Sequence, residues 1–237
     1  MRTRFSSAFT LIEIVTTMAI IIILTSIVVG IAGYVQNKAS RSRAETEKAM
    51  LLGAVENYKS DTGGYPVDAS SDLSSDKLRP KEHFIPTSTE YQKASQFLYK
   101  ELTGDKSGKT ANTDPDGIPD MDATGNLVYQ IYLKQYDQRI LLADRDADTK
   151  KITKVKGFQD PWGYYYGYST AAMSEEKKFQ DKLRTGQTGA TRPTGSNNPG
   201  YNISGPDFWS TGGSKPASAP TDDKTKNQES AKWIKNW

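Results

Sequence analysis

Glu13 is the residue whose setting most demands a chemical explanation. It is the only charged side chain between Arg4 and Lys38, and an uncharged, mostly apolar run from Ile14 to Gln36 follows it. A carboxylate in a bilayer-length segment costs roughly 2.5 to 3.5 kcal/mol on insertion scales, so its presence calls for a nearby cation. An α-amine can supply one. If the chain is cut between Ala8 and Phe9, Phe9 gains a free ammonium four residues before Glu13, about one helical turn away. Within one subunit that amine partly neutralises the carboxylate. Between packed subunits, the amine of one meets the Glu13 of another. A membrane segment that needs a neighbour to pair its charge is built to assemble.

Other candidate chemistry is weaker. Asp114-Pro115-Asp116-Gly117-Ile118-Pro119-Asp120-Met121-Asp122 alternates carboxylates around a glycine, the style of loop that offers Ca²⁺ its 6 to 8 oxygens. Asp114, Asp116, Asp120 and Asp122 are the candidate calcium ligands. The loop is not an EF-hand, because Gly125 stands where the bidentate Glu belongs. The alternative is a solvated acidic loop shaped by Pro and Gly. Asp144-Arg145-Asp146-Ala147-Asp148 carries a competing arginine and no glycine turn. Gly104 to Thr110 is one residue short of a phosphate-binding loop and follows a predicted helix instead of a strand. His83 is the only histidine, and there is no cysteine, which leaves no zinc set and no thiol nucleophile. No G-x-S-x-G occurs. The chain is therefore not read as an enzyme, and no cofactor is required.

The elements that would carry Glu13 follow from periodicity. Residues 9–35 exceed the ~20 apolar residues needed to span a bilayer. Arg2 and Arg4 place the N-terminus in the cytoplasm. Residues 36–60 contain no Pro, and Ala44, Leu51, Val55 and Tyr58 recur at spacings of seven, four and three, which predicts an amphipathic continuation of the same helix. Gly63-Gly64-Tyr65-Pro66 ends it. Beyond lie a predicted helix over 90–102 and strands over 127–133, 138–143, 151–156, 164–168 and 207–210. Residues 67–90 and 103–125 read as loops, 177–200 as a long excursion and 212–230 as a mobile stretch. Trp233, Ile234 and Trp237 form an apolar tail able to dock back. Net charge is +3, from 31 basic and 28 acidic residues, without a basic stripe, so no nucleic-acid partner is expected.

Three segments resemble one family. Ala8-Phe9-Thr10-Leu11-Ile12-Glu13-Ile14-Val15 is similar to the leader junction of type IV pilins and type II secretion pseudopilins. Ala54 to Pro66 is similar to that family's helix exit. Asp160-Pro161-Trp162-Gly163-Tyr164-Tyr165-Tyr166-Gly167-Tyr168 resembles the turn and Tyr-rich strand of the major pseudopilin. The resemblance implies a prepilin leader at 1–8, cleavage between Ala8 and Phe9 by a prepilin peptidase, N-methylation of Phe9, and Glu13 as the assembly carboxylate. Ala8 stands where the family usually has Gly, and it too is small. Trp209 to Gly213 and the terminal Trp233 to Trp237 resemble the major pseudopilin's C-terminal loop. There the family commonly holds calcium, but Gly213-Ser214 and Lys232-Trp233 replace its carboxylates, so that site is not carried over.

The expected fold class is α+β: a long N-terminal helix, transmembrane in its first half (9–35) and amphipathic in its second (36–60), packed on a small antiparallel sheet within a globular domain over 61–237, pilin-like. The resemblance implies a type II secretion pseudopilus subunit in the bacterial inner membrane, single-pass, with its globular domain periplasmic. Implied partners are further copies in a helical filament, the prepilin peptidase, an inner-membrane assembly platform and minor pseudopilins. A type IV pilus subunit, extracellular and serving adhesion, motility or DNA uptake, is the alternative within the class. A membrane-anchored periplasmic binding module is the alternative outside it.

Overall fold

A computed structural model describes residues 10–68, 75–107, 115–194 and 199–237. The chain forms two compact units, Met1–Ser42 and Arg43–Trp237. A single helix, α1 (Leu11–Thr62), contributes to both.

In the first unit, the large apolar side chains of α1 are all exposed, Leu11 by 81% and Val29 by 69%. Three of its hydroxyls bond back to the helix. The hydroxyls of Thr16, Thr17 and Ser26 donate to the carbonyls of Ile12 (2.6 Å), Ile14 (2.9 Å) and Ile22 (2.7 Å). A helix whose backbone and hydroxyls are bonded internally meets the condition that hydrocarbon imposes. α1 is long and apolar enough to cross a membrane.

In the second unit, α1 turns Ala44, Leu51, Ala54 and Val55 into the core, on the stripe that the spacing predicts. Gly63 follows with φ 80°, the left-handed geometry that ends the helix, and its N–H donates to Lys59 O. Helix α2 (Thr89–Thr103) buries Tyr91, Ala94, Ser95, Leu98, Tyr99 and Leu102, one face at three- and four-residue spacing. Strands β1 (Leu141–Arg145) and β2 (Ile152–Phe158) pair antiparallel, with two register irregularities. Ser95 stitches α2 to β2: its hydroxyl donates to Phe158 O and accepts from Phe158 N. Strands β3 (Gly167–Ser169), β4 (Asp207–Ser210) and β5 (Ile234–Lys235) form a separate antiparallel sheet in the order β3-β4-β5. Helix α3 (Ala171–Arg184) and helix α4 (Asp223–Ser230) lie in the connections.

Two clusters fill the core. One joins α1, α2 and both sheets through Leu51, Val55, Leu98, Phe158, Tyr166 and Phe208. The other gathers Leu78, Phe84, Tyr91, Trp209 and Trp233. The α+β class is thus observed, with two small sheets in place of one.

Several predicted elements differ. Residues 127–133 form no strand: Leu127 makes a single bridge to Met121, and the amides of Tyr132 and Leu133 bond instead to Leu102 O at the end of α2. Their alternation is real, but a helix terminus supplies the partner. The 138–143 strand begins later, after a one-turn 3-10 helix (Gln138–Ile140) capped by Asp137. The 164–168 strand is confined to Gly167–Ser169, with a lone bridge from Tyr165 to Gln159. The excursion at 177–200 opens as part of α3. Its Ala, Glu, Lys, Gln and Leu content favours helix, and only Ala171 and Ala172, at its start, are buried. Residues 212–230 contain α4, started by the Asp222 carboxylate accepting from Thr225 N (2.9 Å). The C-terminal tail does dock: Trp233 and Ile234 are buried.

Candidate functional site

At the start of α1, Thr10 and Glu13 form a reciprocal cap. The Thr10 amide and hydroxyl donate to Glu13 Oε2 at 2.8 and 2.7 Å, and the Glu13 amide donates to Thr10 Oγ1 at 3.3 Å. This is a capping box, Thr-x-x-Glu, which satisfies otherwise orphaned helix-terminal donors. The motif was legible in the sequence and escapes notice beside the charge argument. It gives Glu13 a local task and engages Oε2 alone, leaving Oε1 outside those bonds. Arg2, Arg4, Ala8 and Phe9 lie outside the described residues, so the proposed cleavage point and amine are not part of this geometry.

The described carboxylates of the acidic loop are engaged in hydrogen bonds. Asp114 lies outside the described residues. Asp116 Oδ1 accepts from Ile118 N, Asp120 Oδ2 from Lys106 N, Ser107 N and Ser107 Oγ, and Asp122 Oδ1 from Thr124 and Asn126 N. Asp116 and Asp122 shape their own turns, and Asp120 ties the segment back to residues 106–107. Hydrogen bonds from Thr124 and Asn126 hold the exposed Asp122 carboxyl down at about 2. Asp146 likewise accepts from Asp148 N, Thr149 N and Thr149 Oγ1. Among the described residues, no three His, Asp or Glu side chains converge as a metal-binding group. His83 is a loop-packing residue whose Nδ1 accepts from Arg79 N.

Sequence reasoning missed one carboxylate of this loop's neighbourhood, Asp105. It is fully buried and accepts from Tyr99 Oη (2.7 Å), Gly117 N (2.7 Å) and Asp116 N (3.2 Å). Burial raises its pKa. It ties the strap at 115–121 to α2.

The Tyr-rich segment is core. Tyr165, Tyr166 and Tyr168 are buried. Tyr166 Oη donates to Glu47 Oε2 (2.8 Å), and Glu47, itself buried on α1, pairs with Arg43 at 2.6 Å. Tyr168 Oη donates to Pro66 O at 2.7 Å. The Asp160–Tyr168 segment therefore grips α1 at one point and the helix exit at another. Two of the three segments singled out by resemblance are thereby brought into direct contact. Gly167 is required for close approach, since a Cβ there would meet the Trp209 ring at 2.2 Å. Gly163, at φ 82°, permits the turn that opens with Asp160.

Asp160 is buried within that turn. Its Oδ1 accepts from Trp162 N and Tyr164 N, and its Oδ2 from Ser210 Oγ at 2.6 Å. Burial outweighs these bonds and lifts its pKa to about 6. Asp207, holding the Tyr201 and Asn202 amides, is pushed to about 6 for the same reason. A carboxyl whose folded pKa exceeds its unfolded value near 3.9 takes up a proton on folding. Stability from these two groups is therefore fullest near pH 4 and is lost as pH rises through 6. The loss is on the order of 3 kcal/mol per group. Thermal unfolding of the protein in detergent between pH 4.5 and 7.5 should show this slope. Asp160→Asn, which keeps an acceptor for both amides, should remove about half of it and leave the part due to Asp207; an unchanged slope counts against Asp160 as a source.

The C-terminal loop is closed without a cluster of acids. Ser214 Oγ donates to Glu229 Oε2, and Lys232 Nζ pairs with Glu229 Oε1 at 2.7 Å. Ser214 and Lys232 lie in the two stretches, Gly213-Ser214 and Lys232-Trp233, where the resemblance would have placed carboxylates.

The architecture defines a class: an α+β domain preceded by a helix long and apolar enough to cross a membrane. No family model, curated protein or solved structure matches the chain.

Proposed function

We propose that the chain is a structural subunit of a helical filament, most similar in kind to the major subunit of a type II secretion pseudopilus. The first part of α1 holds the subunit in the inner membrane before assembly, then bundles with its equivalents in the filament core. A prepilin peptidase removes residues 1–8 and methylates Phe9, whose amine meets Glu13 of a neighbour. An assembly platform, minor pseudopilins and further copies of the chain are its partners, and protein secretion is the process served.

The observation that carries this reading is the surface of α1. Between Leu11 and Val35 the large apolar side chains of α1 are exposed, with a single carboxylate among them. A plain membrane anchor needs no such charge, and its presence is costly unless a cation is supplied. Oε1 of that carboxylate lies outside the Thr10 cap. The contact between the Tyr-rich segment and the helix exit adds support, because two segments matched separately prove to be structural partners.

The test is the mature N-terminus, read by mass spectrometry on protein from the native membrane. A chain beginning at methylated Phe9 is expected. One beginning at Met1 would overturn the reading and favour a membrane-anchored binding module.

A further inference from the structure

Between β4 and β5 the chain makes a long excursion over residues 211–233. Its departure is fixed by local bonds. Ser210 Oγ donates to Asp160 Oδ2, Gly212 N donates to Ser210 Oγ at 3.0 Å, and Ser214 N donates to Thr211 O at 3.1 Å. Gly213 lies so close to Trp162 that a Cβ there would meet the ring at 2.8 Å. The return is fixed as well. Lys232 N donates to Glu229 O at 3.1 Å after the end of α4, and Trp233 is buried in a stack on Trp209. Beyond it, Asn236 Oδ1 accepts from Phe208 N at 2.9 Å and Asn236 Nδ2 donates to Pro206 O at 3.0 Å.

Glu229 joins the departure to the return. Its Oε2 accepts from Ser214 Oγ, and its Oε1 pairs with Lys232 Nζ at 2.7 Å. The Glu229 side chain is only 17% exposed, and both of its oxygens are engaged. Lys232, and then Ser214, hold its carboxyl below the ordinary range.

The resemblance would close this excursion with calcium, which takes 6 to 8 oxygens and relies on carboxylates. The donors present do not fit that ion. Residues 207–237 hold four acidic side chains, Asp207, Asp222, Asp223 and Glu229. Asp207 holds the Tyr201 and Asn202 amides, Asp222 caps α4, and Asp223 begins that helix. Glu229 alone reaches the ends of the excursion, and an ammonium already neutralises it. That ammonium would repel a divalent cation brought to the same carboxylate. Thr211 Oγ1 is buried without a partner, but it is a single neutral oxygen. Among the described residues, no three acidic side chains gather there.

We propose that the Glu229–Lys232 pair, with Ser214, closes this excursion in place of a metal, so that the C-terminal segment keeps its shape without calcium. The charge that a bound ion would bring is carried by the chain itself, on Lys232. Glu229 is the positioning residue, since its two oxygens hold both ends. This goes beyond the filament reading, because it concerns the closure of each subunit whether or not subunits assemble.

Amide hydrogen exchange, read by mass spectrometry on peptides from residues 207–237, tests it on the full-length protein in detergent. Native protein should exchange at the same rates in EGTA and in millimolar calcium. Glu229→Ala removes a charge-assisted bond and should speed exchange over 211–233 about tenfold or more, without rescue by calcium. Lys232→Met is milder, since the lysine is 54% exposed, and should speed it about threefold. If Glu229→Ala does not fold, Lys232→Met and the native comparison still decide. Calcium-dependent slowing of exchange over 211–233 in native protein overturns the inference, as does unchanged exchange in the folded variants. An intact Met1 terminus would overturn the filament reading and leave this closure standing.

Discussion

Glu13→Ala is expected to leave residues 43–237 folded and to cut incorporation into filaments by about tenfold or more, the equivalent of ~1.4 kcal/mol or more per subunit contact. The side chain bonds only to Thr10 among the described residues, so its loss removes one helix cap, about 1 kcal/mol at an exposed terminus. It also removes the only negative charge of the apolar segment. Two roles are thereby confounded, and Glu13→Gln separates them. The amide oxygen of Gln can still accept from the Thr10 amide and hydroxyl, but it offers no charge to a neighbour's amine. If charge pairing sets the stagger between subunits, Glu13→Gln fails as Glu13→Ala does. If Glu13→Gln assembles normally, the carboxylate is a helix cap and the pairing proposed with the Phe9 amine is wrong. Sheared and membrane fractions compared by immunoblot, with circular dichroism to verify folding, decide between them.

Trp209→Ala should destabilise the second unit by about 4 kcal/mol, a large part of the 5 to 15 kcal/mol that holds a typical domain together. Trp209 is fully buried. It stacks on Trp233 at 5.8 Å, meets Tyr91 and Trp237 edge-on at 5.7 Å, and donates its indole N–H to Tyr91 Oη at 2.8 Å. Its ring also fills the space over Gly167. Removal leaves a cavity among aromatic neighbours too large to collapse into it. The C-terminal strand should loosen first, since Trp233 and Trp237 both pack on this ring. Trp209→Phe keeps most of the burial, loses the hydrogen bond and should cost only about 1 to 2 kcal/mol. Denaturant unfolding in detergent, followed by near-ultraviolet dichroism, measures both; a cost below ~1 kcal/mol for Trp209→Ala would show that the aromatic stack does not secure the tail.

Local pattern made much of the helical framework legible. The α1 stripe of Ala44, Leu51 and Val55, the Gly63 stop and the buried face of α2 are each properties of a segment read against itself, and each appears as the spacing predicts. The same holds for Asp207–Ser210, a strand found at its predicted bounds. The failures share a cause. Residues 127–133 alternate like a strand, yet their amides are taken by the end of α2, a partner remote in sequence. Helix α3 buries only Ala171 and Ala172 at its start, so the core placed few residues on it. Glu47 and Asp105 look like surface acids until Tyr166 and Tyr99 are placed beside them.

The sequence by itself determined that a bilayer-length apolar helix with one carboxylate precedes a polar α+β domain, because length, charge and periodicity are one-dimensional quantities. It also contained the Thr10-x-x-Glu13 cap, since capping spans only one turn. Tertiary structure alone decided that the strands divide into two sheets and that the acidic loop spends its carboxylates on turns. It also decided that the Tyr-rich segment joins α1 to the helix exit. Those outcomes depend on which distant groups meet, and burial and hydrogen-bond pairing across the fold settle that, not the preference of any single segment.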